Sequence, residues 1–312
     1  MDRQTHLNPM HQAGEARQKE IIWTASDGVK FEIPQDPVWT KPLGKRLCIV
    51  DIDTRPLNGT NDILNTEDFD WPQYHPTSAG MMGHYLYTQI HGYDYKFVRT
   101  QNYEDRTSYW TKISALSDTL RDYDFVISID ADAQISHPEI PFEWLLNRWN
   151  VTLETALTMT IDPDKPYNLD PRGRPYNNCG FVVAHNIPRT HEMLKAWSSC
   201  PDEPQKDFEG CARWKTPWPA EQAAFGEYIR YMFSEPNDLN EIPCDEANGF
   251  PESEQGCSGR FIRHLWTAKG QTRDVVNNGV MQVLLKRLHD QFLADESVII
   301  ERESNAFLRS DL

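Results

Sequence analysis

Tyr123-Asp124-Phe125-Val126-Ile127-Ser128-Ile129-Asp130-Ala131-Asp132-Ala133 is the stretch on which the reading of this chain turns. Phe125–Ile129 is apolar apart from Ser128 and rich in β-branched side chains, which predicts a buried strand. The apolar run stops at Asp130 and Asp132, two carboxylates one residue apart. Ligands of open α/β sheets bind beyond the carboxyl ends of the strands. Paired acids at such a place suit a hard divalent cation, Mg²⁺ or Mn²⁺, whose shell is often completed by substrate phosphates. Two like charges this close also predict a raised pKa for one of them. Asp51-Ile52-Asp53 repeats the pattern, so the tripeptide gains meaning only from its surroundings.

Working outward, residues 47–52 read as the first core strand, 78–90 as a helix with Met82, Leu86 and Ile90 on one face, and 95–98 as a second strand. Thr111–Leu120 reads as a helix with Ile113, Leu116 and Leu120 at core spacing. With Phe125–Ile129 this makes β-α-β-α-β, which predicts parallel strands in a doubly wound α/β sheet. Asp51, at the end of the first strand, is expected to face a nucleotide by the same strand-end logic. Further on, helices are expected over 141–148, 189–197 and 219–233, and strands over 156–161, 181–184 and 261–265. The last helix, over 274–292, is expected to turn Val276, Val280, Val283 and Leu284 inward. Residues 1–41 have little apolar periodicity and read as a mobile tail or stem, leaving 42–312 as a single domain.

Composition narrows the function. The chain has 312 residues and a formal net charge of −16, which argues against a nucleic-acid partner, because phosphate binding needs a basic face. An acidic protein that takes a diphosphate needs a local metal to reverse the sign. Neither a membrane span nor a signal peptide is visible in the sequence. The expectation is a cytoplasmic protein, or a Golgi or secretory-lumen protein whose membrane anchor is not in this sequence. Asn58-Gly59-Thr60 and Asn150-Val151-Thr152 would accept N-glycans in such a lumen, making it a glycoprotein. Cys200 with Cys211, and Cys244 with Cys257, lie in polar, Pro-rich stretches and could close two loops as disulfides, while Cys48 reads as a buried thiol. No C-x-x-C pair exists, which disfavours zinc.

Trp110-Thr111-Lys112, followed by a helix and the strand with its Asp-x-Asp (DXD) acids, resembles the W-x-K … DXD order of glycosyltransferase family 34, the galactosyl-, mannosyl- and xylosyltransferases. Asn177-Asn178-Cys179-Gly180-Phe181 resembles a segment of families 34 and 8 that lies beside the donor sugar. Trp218-Pro219-Ala220-Glu221-Gln222-Ala223-Ala224 resembles the Asp-Gln-x-Ala segment of family 34, with Glu221 where Asp is usual. His264 resembles the C-terminal histidine that completes the metal shell in many such enzymes, and His185, also at a strand end, competes for that role. The resemblance implies a GT-A, Rossmann-like nucleotide-diphospho-sugar transferase fold, a mixed sheet with helices on both faces. It implies a hexosyltransferase that moves a hexose or pentose from a UDP- or GDP-sugar to a glycan or glycoconjugate acceptor, with retention of configuration. The residues it points to are Asp130, Asp132 and His264 for manganese or magnesium. Trp110, Lys112, Asp130 and Lys269 would serve the donor, and Asn178, Glu221 and Gln222 the sugar. A catalytically silent nucleotide-sugar-binding module, a nucleotidyltransferase and a hydrolase remain open alternatives.

Overall fold

In the computed structural model, which describes residues 20–67, 69–202 and 208–299, the centre is a mixed sheet. Among the described residues it has six strands in the order β4 (Asp94–Arg99), β3 (Leu47–Asp53), β5 (Phe125–Ile129), β8 (Asn177–His185), β7 (Leu157–Ile161) and β9 (Leu239–Ile242). β3 runs parallel to both β4 and β5, as expected from the β-α-β-α-β pattern. β8 is antiparallel to β5 and to β7, which makes the sheet mixed.

The two-residue period of a strand sends alternate side chains to opposite faces, and each face acquires its own core. Leu47 and Ile49 of β3 pack with Tyr87 of α1 (Pro76–His91) and with Phe142 and Trp144 of α3 (Phe142–Arg148). Cys48 and Val50 pack on the other side, with Ile113, Leu116 and Leu120 of α2 (Thr111–Leu120) and Met193 and Trp197 of α4 (Pro188–Ser199). Helices therefore cover both faces. β3 and β5 run parallel side by side, so the loops after Asp53 and Ile129 leave the same edge of the sheet.

Several elements depart from expectation. β1 (Ile22–Thr24) and β2 (Lys30–Glu32) form a hairpin inside the segment expected to be a tail. Trp23 is buried there against Trp144 and Phe261, and the Trp39 indole donates to the Val151 carbonyl at 2.7 Å. Aromatic burial ties this segment to the domain, so the ordered domain starts well before residue 42; residues 1–19 lie outside the described region. A second two-stranded unit pairs β6 (Ala133–Ile135) with β10 (Ile262–His264), so the last strand is not in the central sheet. The helix expected over 219–233 begins as α5 (Glu221–Ala224) and continues through a π-helical turn, Phe225–Ile229, to Arg230–Met232. α6 (Cys244–Ala247) is short, and α7 (Thr272–Ala294) is long. α7 packs along α1 with Val276, Val280 and Val283 half-buried, but Leu284, expected inward, is 44% exposed. The disulfides pair as anticipated, Cys200 with Cys211 and Cys244 with Cys257, and Cys48 is a buried free thiol. No helix among the described residues is long and apolar enough to cross a membrane.

Candidate active site

Asp130 follows β5 and Asp132 precedes β6. His264 ends β10, and the antiparallel register sets it opposite Ala133, next to Asp132. The Leu265 amide donates to the Asp132 carbonyl at 2.8 Å and closes that corner. One ligand atom from each of Asp130, Asp132 and His264 lies within 4.8 Å of the others. The convergence thus comes from the β6–β10 pair rather than from neighbouring strands of the main sheet. His185 is at the opposite end of β5, in register with Phe125 and stacked on its ring at 4.4 Å. It is in no position to join the acids.

The surroundings of His264 fix its chemistry. Asn248 donates its amide NH₂ to the Ile161 carbonyl at 3.1 Å and to Asp162 Oδ1 at 3.0 Å, so its oxygen is left to accept. That oxygen lies 3.0 Å from His264 Nδ1, which therefore donates to it, and Nε2 is left facing Asp132 Oδ1 at 3.5 Å. Two carboxylates and one imidazole nitrogen suit Mn²⁺ or Mg²⁺ when further oxygens complete the shell. Gly180 makes room for the ring: a Cβ there would meet His264 Cε1 at 2.3 Å and Nε2 at 2.8 Å.

Two lysines frame the acids. Lys269 Nζ is 2.8 Å from Asp132 Oδ2, and Lys112 Nζ is 2.5 Å from Asp130 Oδ1 and 4.0 Å from Glu221 Oε1. Burial alone would raise the Asp132 carboxyl, yet His264 and Lys269 hold it well below the usual carboxylate range. The raised pKa expected from like-charge repulsion is not found at this residue, because cations outweigh the neighbouring acid. Burial pushes the Glu221 carboxyl up to about 7 against the pull of Lys112. Glu221 is 3% exposed, and its Oε2 has no hydrogen-bond partner. Ala220 just before it is held at φ +49° and ψ −114°, an unfavourable conformation for a residue with a Cβ and one that tends to occur where a loop aims side chains at a site.

Asp162 is the hub beneath this group. It accepts from Asn178 Nδ2 at 2.9 Å, Asn248 Nδ2 at 3.0 Å and Gln222 Nε2 at 2.7 Å, and burial raises its pKa despite these donors. Neither Asp162 nor Asn248 was anticipated from sequence. Asp162 directly follows the expected strand 156–161, so the strand-end rule that singled out Asp130 would also have found it. Asn248 sits in a long loop with no local signature.

The acids lie between two cavities. One, of about 380 Å³, is lined by Asn178, Glu221, Gln222 and His264; the other, of about 450 Å³, by Asp51, Asp53, Arg55 and Thr111. Tyr109, Lys112, Asp130, Asp132 and Lys269 line both. Two expected donor contacts look different in place. Trp110 is buried and lines neither cavity; its indole donates to the Trp214 carbonyl at 3.1 Å, anchoring the start of α2. Asp51 is at the floor of the larger cavity, but its oxygens are taken by His84 Nδ1 at 3.1 Å and the Tyr95 hydroxyl at 2.8 Å. His84 Nε2 bonds the Ala133 carbonyl at 2.7 Å. Burial alone would lower the His84 pKa, but Asp51 raises it, so this is a buried ion pair bracing the acid loop.

No protein-family model and no curated protein sequence matches the chain. Among solved structures it is similar to a glycosyltransferase involved in the glycosylation of the major capsid of PBCV-1, at 13% identity over 74% of this chain and 98% of that one, with a TM-score of 0.48. It is similar to the glycosyltransferase GlyE of Streptococcus pneumoniae TIGR4 at 12% identity, over 80% and 64% of the two chains, with a TM-score of 0.40. Mouse xyloside xylosyltransferase 1 is a further similar structure, at 12% identity, 70% and 96% coverage and a TM-score of 0.38.

Proposed function

We propose that this protein is a metal-dependent glycosyltransferase that moves a hexose or pentose from a nucleoside-diphosphate sugar to a glycan or other hydroxyl acceptor, with retention. The observation that carries this is the meeting of Asp130, Asp132 and His264 between two cavities, one at the carboxyl ends of parallel strands and one lined by amides and carboxyls. The nucleoside belongs in the first, where open α/β sheets bind ligands. The sugar belongs in the second, and the diphosphate spans the acids.

Departure of the nucleoside diphosphate builds negative charge on the leaving phosphate. A bound Mn²⁺ or Mg²⁺ would offset that charge. Lys112 and Lys269, on either side of the acids, are placed to reach phosphate oxygens as point charges. Asn178 and Gln222 are held rigid by Asp162 beside the sugar cavity. The unpartnered Glu221 oxygen is available to a sugar hydroxyl. Among the described residues no side chain stands out as a dedicated nucleophile, so displacement on one face of the sugar is the reading that fits retention.

The two disulfides and the exposed Asn58 and Asn150 of the sequons favour a secretory compartment such as the Golgi lumen. The test of the function is release of nucleoside diphosphate from UDP- and GDP-sugars with and without EDTA. Release that EDTA abolishes and Mn²⁺ restores is expected; turnover that ignores the chelator sinks the mechanism.

A further inference from the structure

The sugar cavity has a rim that the donor does not account for. Trp218 is 71% exposed and Tyr167 is 63% exposed, and both line the 380 Å³ cavity but not the nucleoside cavity. Ligand cavities are lined by aromatic side chains with a few polar groups, and here two large exposed rings border one polar cavity. Both rings stand on ordered backbone. Trp218 lies two residues before Ala220, whose backbone is fixed in its unusual conformation. Tyr167 lies in the turn Pro166–Asn168, which is pinned by Asn168 Nδ2 donating to the Pro163 carbonyl at 2.9 Å and by the Tyr176 amide donating to the Asn168 carbonyl at 2.8 Å.

The chemistry of this rim is selective. An aromatic plane offers dispersion and a negative π-face to C–H groups. The amides of Asn178 and Gln255 on the same cavity offer hydrogen bonds. A pyranose ring presents both, an apolar C–H face and a fringe of hydroxyls. Lys112 and Lys269, the lysines lining the cavity, lie beside the acids where the donor diphosphate takes them, and the protein carries a net charge of −16, so an anionic acceptor would find no further lysine or arginine in the cavity lining.

We infer that Trp218 and Tyr167 form the acceptor subsite, a platform for the pyranose face of a neutral oligosaccharide whose hydroxyl is turned toward Glu221 and Gln222. This rests on the glycosyl-transfer reading and narrows its acceptor to a neutral glycan, excluding a bare polypeptide hydroxyl and a phosphorylated carrier.

The experiment uses wild type, Trp218→Ala, Tyr167→Ala and Trp218→Phe. Each is tested on an array of immobilised neutral and anionic oligosaccharides, and each is tested for thermal stabilisation by UDP or GDP with Mn²⁺. Wild type should retain at least one neutral oligosaccharide. Each alanine variant should lose about ten-fold or more in affinity for it, Trp218→Phe should keep most of it, and the nucleotide response should be the same in all four. The inference is overturned if wild type retains no glycan or only anionic ones, if the alanine variants bind as wild type does, or if they lose the nucleotide response, which would assign the rim to the donor. Failure of the transfer reading is seen separately, as a wild type that neither nucleotide stabilises; glycan retention lost in the alanine variants would still support the platform.

Discussion

Glu221 is a carboxyl with one oxygen that nothing in the protein binds. Burial sets its ionisation near 7, against an ordinary value of 4.5. Between those values the unfolded chain has released the proton while the folded protein keeps it. Stability therefore falls as pH rises through this window and levels off above it. Glu221→Gln removes the titration while keeping the shape. Its stability relative to wild type should shift in its favour by roughly 1–3 kcal/mol between pH 5 and pH 8. Urea unfolding at both pH values reads this directly, and a variant that loses ground on going to pH 8 contradicts the buried, near-neutral carboxyl. Asp130 and Asp132 were legible from the sequence because the signal is local: a strand ends and two acids follow. Asp162 carries the same strand-end signal, but Asn248 does not, since what it does is set by a contact across 86 residues of sequence.

At the scale of elements, His264 depends on a strand pair of three residues each, β6 and β10. Gly180 of β8 faces the ring, and the hydrogen bond from Nδ1 to Asn248 keeps the ring from turning away. Gly180 has no left-handed backbone that an alanine would strain. Gly180→Ala should thus leave the sheet intact and displace the imidazole, cutting Mn²⁺ affinity by about ten-fold or more. Calorimetric titration with Mn²⁺ is the measurement, with circular dichroism to check the fold; an unchanged affinity would remove His264 from the metal shell. The same short pair shows where reading the sequence stops. α2 and β5 coincide with their expected bounds, because each carries its own periodicity. β6, β1 and β2 are too short for a period to show. β10 falls inside the strand expected over 261–265, but nothing local tells that it pairs with β6 outside the central sheet.

At the scale of the molecule, the two disulfides stand in different relations to the site. Cys244–Cys257 closes a loop of separation 13 that contains Asn248 and Gly249. Asn248 orients His264, and the Gly249 carbonyl accepts from the His264 amide at 2.9 Å, so this loop holds the histidine by side chain and backbone. Cys200–Cys211, of separation 11, joins the end of α4 to the turn Cys211–Trp214, and touches neither acid nor histidine. Loops of similar length restrict the unfolded chain by similar amounts, roughly 3 kcal/mol each on the chain-entropy model. The Cys244→Ser/Cys257→Ser and Cys200→Ser/Cys211→Ser double variants should accordingly lose comparable stability in urea. Only the first should also lose Mn²⁺ affinity at a temperature where both are folded. The stability arm tests the cross-links and the metal arm tests the support of His264, so the two effects are separable. Equal metal affinity in both double variants would mean that Asn248 and Gly249 hold their places without the cross-link, and that the covalent closure of this loop serves the fold alone.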